Sequence, residues 1–291
     1  MNQNLPEVGF IGLGVMGKSM ASRILEKGYP LHIYTRTKEK AEGLIERGAV
    51  WHDSPRSVAV KAKVIFTIVG FPKDVEEVYL GDEGLIPHAK AGTYLVDMTT
   101  SSPSLAEKLY EEGKKRGIHV LDAPVSGGDI GAREGRLSIM VGGDEKAYNW
   151  VKPIFETMGT NIVFQGGPGK GQHTKMANQI AIATNMIGVC EAIIYAKRTG
   201  LDVENVLKSI STGAAGSFSL SNYAPRILAG DYSPGFFIKH FIKDMSIALE
   251  EAEKHGLNLP GLELAKKMYS ELAEKGEGNS GTHALYKYWD D

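Results

Sequence analysis

The stretch VGFIGLGVMG constrains this chain more than any other. It sets Gly12, Gly14 and Gly17 where a short apolar run gives way to a helical pattern. A strand that turns sharply into a helix needs one glycine for the turn. It needs a second where the backbone approaches an anion, and a third where helix and strand close together. The first turn of the helix then offers unpaired N–H groups to a pyrophosphate. Gly12, Leu13, Gly14, Val15, Met16 and Gly17 are therefore the candidate residues for the phosphates of a dinucleotide. The alternative, a tight turn with no ligand, is weakened by the strand before the glycines and the helix after them.

Up to about residue 165, short apolar runs alternate with helical patterns: EVGFIG, VMGKSMASRILEKG, LHIYT, KEKAEGLIERG. Gly28 and Gly48 stand as helix stops, and further strands are expected at 63–70, 93–99, 118–125, 136–143 and 161–166. This alternation predicts an α/β domain, a doubly wound and mainly parallel sheet covered by helices. After GGPGKG the pattern changes to one long helix-compatible segment, about 170–199, followed by helical stretches near 203–211, 237–255 and 260–275. With 291 residues the chain exceeds the size at which one core usually divides. Two domains are expected, a Rossmann domain at 1–167 and an all-helical substrate and dimerisation domain at 168–291. The long helix is apolar on more than one face, which implies burial between domains or subunits, and a homodimer or homotetramer is expected.

Charge and cysteine content exclude several classes. Lysine and arginine total 33 against 35 acidic residues, without the basic excess of a nucleic-acid binder. The single cysteine, Cys190, forms no intrachain disulfide, and none of the eight histidines lies within four residues of another, so no short-range metal pair exists and no metal is expected. The opening MNQNLPEVGFIG lacks a basic segment followed by a cleavable apolar one, and no apolar run reaches the roughly 20 residues of a membrane span. The expectation is a cytoplasmic protein with a small-molecule substrate and no nucleic-acid or membrane partner.

An NAD site normally presents Asp or Glu to the ribose hydroxyls after the second strand. Here the row reads YTRTKEK, so Thr35 holds roughly the acidic position, with Arg36, Thr37 and Lys40 beside it. That neighbourhood suits a 2′-phosphate, and NADP is favoured over NAD. The loops VGFP (69–72, with Val69 and Gly70), DMTTSSP (97–103, with Thr100) and DAPVSGG (122–128) follow predicted strands, where a doubly wound sheet gathers its ligands. Ser126 and the N–H groups of Gly127 and Gly128 are suited to a small carboxylate; an ordinary flexible turn reads the same way. Lys175 and Asn178 are three residues apart on the long helix, hence on one face. Most helical lysines are only solvated charges, but one in a partly dry pocket can exchange a proton with substrate. Near residue 240, Phe236, Lys239, Lys243 and Asp244 lie on or near one helix, with Phe236 and Lys243 two turns apart. GPGKGQ lacks the hydroxyl residue of a phosphate-binding P-loop, and no GxSxG occurs.

FIGLGVMGKSMASRI, DMTTSSP, DAPVSGG, GKGQHTKMAN and the late KD at 243–244 together resemble the β-hydroxyacid dehydrogenases, over essentially the whole chain. That family includes 3-hydroxyisobutyrate dehydrogenase, tartronate semialdehyde reductase and the glyoxylate/succinic semialdehyde reductases. The resemblance implies that Lys175 is the catalytic acid/base assisted by Asn178, and that Ser126, Gly127 and Gly128 hold the substrate carboxylate. It further implies Thr100 and Lys243 beside the nicotinamide and its ribose, with Phe236 and Asp244 lining the closed site from the helical domain. Thr99, where many relatives have serine, and Gly70, where proline is common, depart from the pattern and weaken assignment to a subfamily.

The implied reaction is a hydride shift between nicotinamide and the β-hydroxyl carbon of a short acid. Its nearest rival is an NADPH-dependent reductase of succinic semialdehyde, glyoxylate or tartronate semialdehyde. A 6-phosphogluconate dehydrogenase is disfavoured because the helical half is too short, and a catalytically silent NADP-sensing module because it would not need Lys175, Asn178 and the SGG loop.

Overall fold

The computed structural model describes residues 5–289, so residues 1–4, part of the opening read above for a leader, lie outside it. Contacts divide the chain into two compact units, Met1–Lys175 and Met176–Asp291.

The first unit is a single sheet flanked by helices. Its strands are β1 (Val8–Ile11), β2 (Leu31–Tyr34), β3 (Val50–Trp51), β4 (Val64–Thr67), β5 (Tyr94–Asp97), β6 (His119–Asp122), β7 (Val125–Ser126), β8 (Leu137–Gly142) and β9 (Gly159–Gly166). Between them run α1 (Val15–Glu26), α2 (Glu42–Ile45), α3 (Pro55–Ala59), α4 (Pro72–Leu80), α5 (Leu85–His88), α6 (Pro103–Lys114), α7 (Gly128–Glu134) and α8 (Glu145–Phe155). The sheet order β3-β2-β1-β4-β5-β6-β8-β7, with β9 on β8, is the doubly wound arrangement. Pairing from β3 to β6 is parallel, β8 runs antiparallel to β6 and β7, and β9 is parallel to β8.

The sheet bears out the mainly parallel α/β expectation, with two local differences. The segment expected as one strand at 118–125 breaks into β6 and β7 across Ala123 and Pro124, because proline offers no N–H to continue a ladder. The two-residue β3 is too short to carry an alternation signal.

Continuous apolar runs make β1 and β4 buried on both faces, as parallel strands require. Phe10 and Phe66 stack with ring centroids 6.3 Å apart, and Phe155 meets Phe66 edge to face at 5.8 Å. Each buried ring contributes roughly 1.5–3 kcal/mol by removal from water. Pro72 and Pro103 open α4 and α6 at the position where a missing N–H costs nothing.

α9 (Lys170–Arg198) begins in the first unit and supplies the central element of the second, which continues through α10 (Val203–Ile210), a π-turn (Ser219–Tyr223), α11 (Ala224–Leu228), α12 (Ile238–Lys254), α13 (Pro260–Glu274) and a 3₁₀ segment (Thr282–Trp289). This unit is helical as expected, with α10, α12 and α13 within a residue or two of the sequence reading. α9 is long and apolar enough to cross a membrane by length and composition, with a window of mean hydropathy 1.4. That corrects the expectation that no run reaches such length: Gln179, Thr184 and Asn185 interrupt the apolar run but bring no charge. Ala183, Met186, Cys190 and Ile193 of α9 pack into the unit's own core.

His283 pins the C-terminal segment. Its ring is fully buried, stacked on Tyr223 and Tyr232 at centroid distances of 5.0 and 5.8 Å. Nε2 donates to Asp231 O at 2.7 Å, while Nδ1 has no hydrogen-bond partner among the described residues. A second proton would therefore put a charge into the interior, and burial holds this imidazole below its ordinary pKa. The unfolded chain takes up a proton near pH ~6.5 that the folded chain refuses. The stability is therefore present above that value and is lost as pH falls through it toward the lowered folded pKa. The expected result is a thermal midpoint that drops between about pH 7.5 and 5.5. His283→Phe, which keeps the stack, should flatten part of that drop; an unchanged slope would place the titration elsewhere.

Candidate active site

The parallel strands deliver their exit loops to one edge of the first unit, stitched by backbone hydrogen bonds. Gly12 N–H donates to Tyr34 O (3.0 Å), Ile68 N–H to Ile11 O (2.9 Å), Met98 N–H to Thr67 O (2.7 Å) and Ala123 N–H to Asp97 O (2.7 Å). The glycine turn, the 69–72 loop, the loop around Thr100 and the DAPVSGG loop therefore leave neighbouring strands side by side.

Each glycine of the first turn has its own constraint. Gly12 has φ +96°, and a Cβ there would overlap Ile68 O; a Cβ on Gly17 would overlap Gly12 O. Gly14 differs, since a Cβ there meets nothing within 4 Å and its φ of −74° is open to any residue. It is the N-cap of the 12-residue α1 and makes no side-chain cap. The space beside Gly14 is open, and a helix leaves the N–H groups of its first turn unpaired, so the residues present fit the pyrophosphate of a dinucleotide. Leu13 is buried, Val15 exposed and Met16 half-buried.

At the end of β2, Thr35 is buried and Arg36 is 80% exposed at its side chain, with Nη1 3.4 Å from Asp74 Oδ1. Asp74 also accepts from Phe71 N–H at 3.1 Å, so it closes the head of α4 as well. Thr37 is the N-cap of the short 3₁₀ turn Lys38–Ala41. Val69 N–H donates to Thr99 Oγ1 at 3.0 Å, and Thr99 N–H donates to the buried Asp97 at 3.0 Å. The Thr99 hydroxyl, a group that serine would also supply, thus ties the β4 exit to the β5 exit. Gly70 follows in a half-buried stretch.

Ser126 ends β7 opposite Ser138. Gly127 has φ +129° and Gly128 φ +64°, backbone that L side chains rarely adopt. A Cβ on Gly128 would meet nothing within 4 Å. The SGG segment is therefore a fixed bend with an open flank.

Lys175 lies at the end of the first unit, 6% exposed, in the second turn of α9. The turn before it is anchored by two residues that sequence reading left aside, Asp122 and Gln172. Asp122 Oδ1 accepts from Gly169 N–H at 2.9 Å and Oδ2 from Gln172 N–H at 2.8 Å. Burial pushes this carboxyl above its usual range, and the N–H groups of Gln172 and Gly169 pull it back. Both residues were present in the quoted motifs, but partners 47 and 50 residues apart leave no local trace.

In the second unit, Asn178 Nδ2 donates to Gln179 Oε1 at 2.7 Å, and Gln179 Nε2 donates to Asp244 Oδ2 at 2.6 Å. Lys243 Nζ lies 2.9 Å from Asp244 Oδ1. Asp244, 1% exposed, is thus placed to orient Lys243 and the Asn178–Gln179 pair. Gln179 is a further member that sequence reading passed over. Phe236 precedes α12 and packs on Phe241 at 5.4 Å, so the two-turn helical spacing to Lys243 does not hold. Lys239 turns away to Asn279, 2.8 Å from its Oδ1.

Known proteins share this fold. Residues 7–167 match the family described as the NAD binding domain of 6-phosphogluconate dehydrogenase, and residues 169–289 the family described as NAD-binding of NADP-dependent 3-hydroxyisobutyrate dehydrogenase. The chain is 62% identical to an uncharacterised oxidoreductase of Bacillus subtilis, over 97% of this chain and 98% of the other. It is 40% identical to the 2-hydroxy-3-oxopropionate reductase of Escherichia coli, over 96% and 95%. Among solved structures, a 3-hydroxyisobutyrate dehydrogenase of Mycobacterium tuberculosis, determined with L-serine, superimposes with a TM-score of 0.88 at 25% identity, covering 97% of this chain and 98% of that one. On these matches the chain belongs to the β-hydroxyacid dehydrogenase family and is an NAD(P)-dependent oxidoreductase of hydroxyacids.

Proposed function

We propose that this enzyme interconverts a short 3-hydroxyacid of the 3-hydroxyisobutyrate type and its carbonyl partner, with NADP preferred over NAD. The observation that carries the reading is Lys175, a lysine with 6% exposure, held through the preceding turn of its helix to the exit loops of β5 and β6. When bound, the nicotinamide supplies hydride acceptance or donation at the carbinol carbon. Gly12 to Gly17 hold the pyrophosphate, while Val69, Gly70, Thr100 and Lys243 serve the nicotinamide side. Ser126, Gly127 and Gly128 bind the substrate carboxylate. In the oxidising direction Lys175 Nζ takes the hydroxyl proton as the C–O bond becomes a carbonyl; in the reducing direction it returns that proton. Asn178 assists, Phe236 borders the substrate, and Asp244 keeps Lys243 and Gln179 in place.

Arg36 favours a second reading, reduction of a small aldehyde such as tartronate semialdehyde, glyoxylate or succinic semialdehyde, because NADPH commonly serves reductive steps. Rates with both cofactors on 3-hydroxyisobutyrate, 3-hydroxypropionate, serine, glycerate, glyoxylate and succinic semialdehyde, in both directions where the product is stable, decide between them. No turnover on any of these would sink both readings. In the same assay Arg36→Ala should raise KM for NADP about 10- to 100-fold, as expected for one charge-assisted bond to phosphate. KM for NAD should change little. Equal changes for both cofactors would remove Arg36 from the 2′-phosphate site.

The proposal extends to residues 168–291 as a substrate and dimerisation unit, in a cytoplasmic homodimer or homotetramer. The exposed small residues Ala177, Ala181, Thr184 and Gly188 along α9 are compatible with a close helix contact. A monomer in sedimentation would remove that part.

A further inference from the structure

Gln172 stands three residues before Lys175 on α9, and its side chain is fully buried. Its Nε2 donates to Thr99 O at 2.7 Å, and its Oε1 accepts from Ser101 N–H at 2.9 Å. Those two groups belong to the peptide bonds on either side of Thr100. A primary amide carries one donor edge and one acceptor edge in a single plane, so one side chain fixes both peptides flanking Thr100. Asparagine, one methylene shorter, would not span the same gap from the same backbone.

The backbone of Gln172 is held as well, since its N–H donates to Asp122 Oδ2. Space for that carboxylate exists because residues 142 and 171 are glycines; a Cβ on Gly142 would lie 2.5 Å from Asp122 Oδ1, and one on Gly171 2.8 Å from Oδ2. Gln172 is thus fixed at its backbone to the β6 exit and at its side chain to the β5 exit. An α-helix is stiff over one turn, so fixing position 172 along and around the axis also fixes position 175.

We propose that Gln172 is a positioning residue that sets the spacing between Thr100, on the cofactor side, and Lys175, the proton-transfer group. This rests on the roles proposed above for those two residues. A displacement of about 1 Å between reacting groups costs on the order of 100-fold in rate, whereas cofactor and substrate would still bind through the glycine turn and the SGG bend.

The test compares wild type, Gln172→Met, Gln172→Glu and Lys175→Ala, using whichever of 3-hydroxyisobutyrate, L-serine or glyoxylate the wild type turns over. Thermal midpoint, NADPH affinity by fluorescence titration, kcat, KM and the primary isotope effect with 4-deuterated cofactor are measured for each. Gln172→Met keeps volume and removes both hydrogen bonds. It should bind NADPH within about threefold of wild type and keep KM similar, while kcat falls about 30- to 100-fold and the isotope effect rises. Gln172→Glu tests the same point if the methionine variant does not fold. Its carboxylate accepts from Ser101 N–H but repels Thr99 O, and protonation restores the donor. Its kcat relative to wild type should therefore recover several-fold as pH is lowered from about 8 to 6.

A Gln172→Met enzyme with wild-type kcat would overturn the proposal. So would loss of kcat that merely tracks melting and lost NADPH binding, or a Gln172→Glu profile parallel to wild type. If Lys175→Ala keeps the wild-type rate, the proton-transfer reading beneath the proposal fails, and the proposal falls with it for a reason the Gln172 variants would not reveal.

Discussion

Lys175→Ala should lower kcat/KM by about 10³-fold while leaving NADPH affinity within a few-fold of wild type. General acid–base catalysis by one positioned group supplies roughly 10²–10⁴ in rate, and the higher part of that range suits a group with 6% exposure that bulk water does not easily replace. The loss should appear in kcat, because the proton is in flight only in the transition state. Lys175→Arg separates proton exchange from charge. Guanidinium stays protonated at any working pH, so the arginine enzyme should be nearly as slow as alanine in hydroxyacid oxidation, although it keeps the cation. Small primary amines added to Lys175→Ala should return part of the rate if the missing function is a proton carrier. Rates within threefold of wild type for the alanine enzyme would remove Lys175 from the chemistry and leave the buried ammonium as a packing feature.

Gly14→Val and Gly17→Val should fail in opposite ways. At Gly17 an added Cβ overlaps Gly12 O and approaches Ile68, so helix and strand must separate, and the variant should be insoluble or melt many degrees lower, an overpacking cost of about 1–3 kcal/mol or more. At Gly14 the added side chain meets no protein atom within 4 Å, and the backbone already has a conformation that valine adopts. That variant should melt close to wild type yet bind NADPH at least about 100-fold more weakly, because the side chain would occupy the place proposed for the pyrophosphate. The pair distinguishes a glycine kept for the fold from one kept for the ligand. Thermal denaturation and a nicotinamide fluorescence titration measure both effects. Normal cofactor affinity in Gly14→Val would mean that the phosphates lie elsewhere than at the head of α1.

Some of the candidate site was legible in the sequence and some was not. Gly12, Gly14 and Gly17 were legible because a strand–turn–helix joined by a tight bend is specified within ten residues. The SGG bend and the one-turn spacing of Lys175 and Asn178 are equally local. Asp122 and Gln172 were not, although both stood in quoted motifs. Aspartate after a strand and glutamine at the head of a helix are ordinary surface choices, and only the fold brings Asp122 to Gly169 and Gln172 to the peptides around Thr100. Phe236 is a different case: α12 begins at Ile238, so helical spacing does not extend from Lys243 back to Phe236.

By itself, then, the sequence determined the alternation that makes the first unit a doubly wound sheet, the change to helices after residue 170, and the residue types able to hold phosphate, carboxylate and a proton. These follow from side-chain periodicity and from glycine's missing Cβ, both of which act over a few residues. The tertiary structure alone decided which loops leave the sheet side by side, which carboxylate caps the head of α9, and which amide sets the distance from Thr100 to Lys175. Those are hydrogen bonds between groups 47 to 73 residues apart. Their geometry exists only once the strands have paired in register, because a buried donor or acceptor finds its partner through the fold and not through its neighbours in the chain.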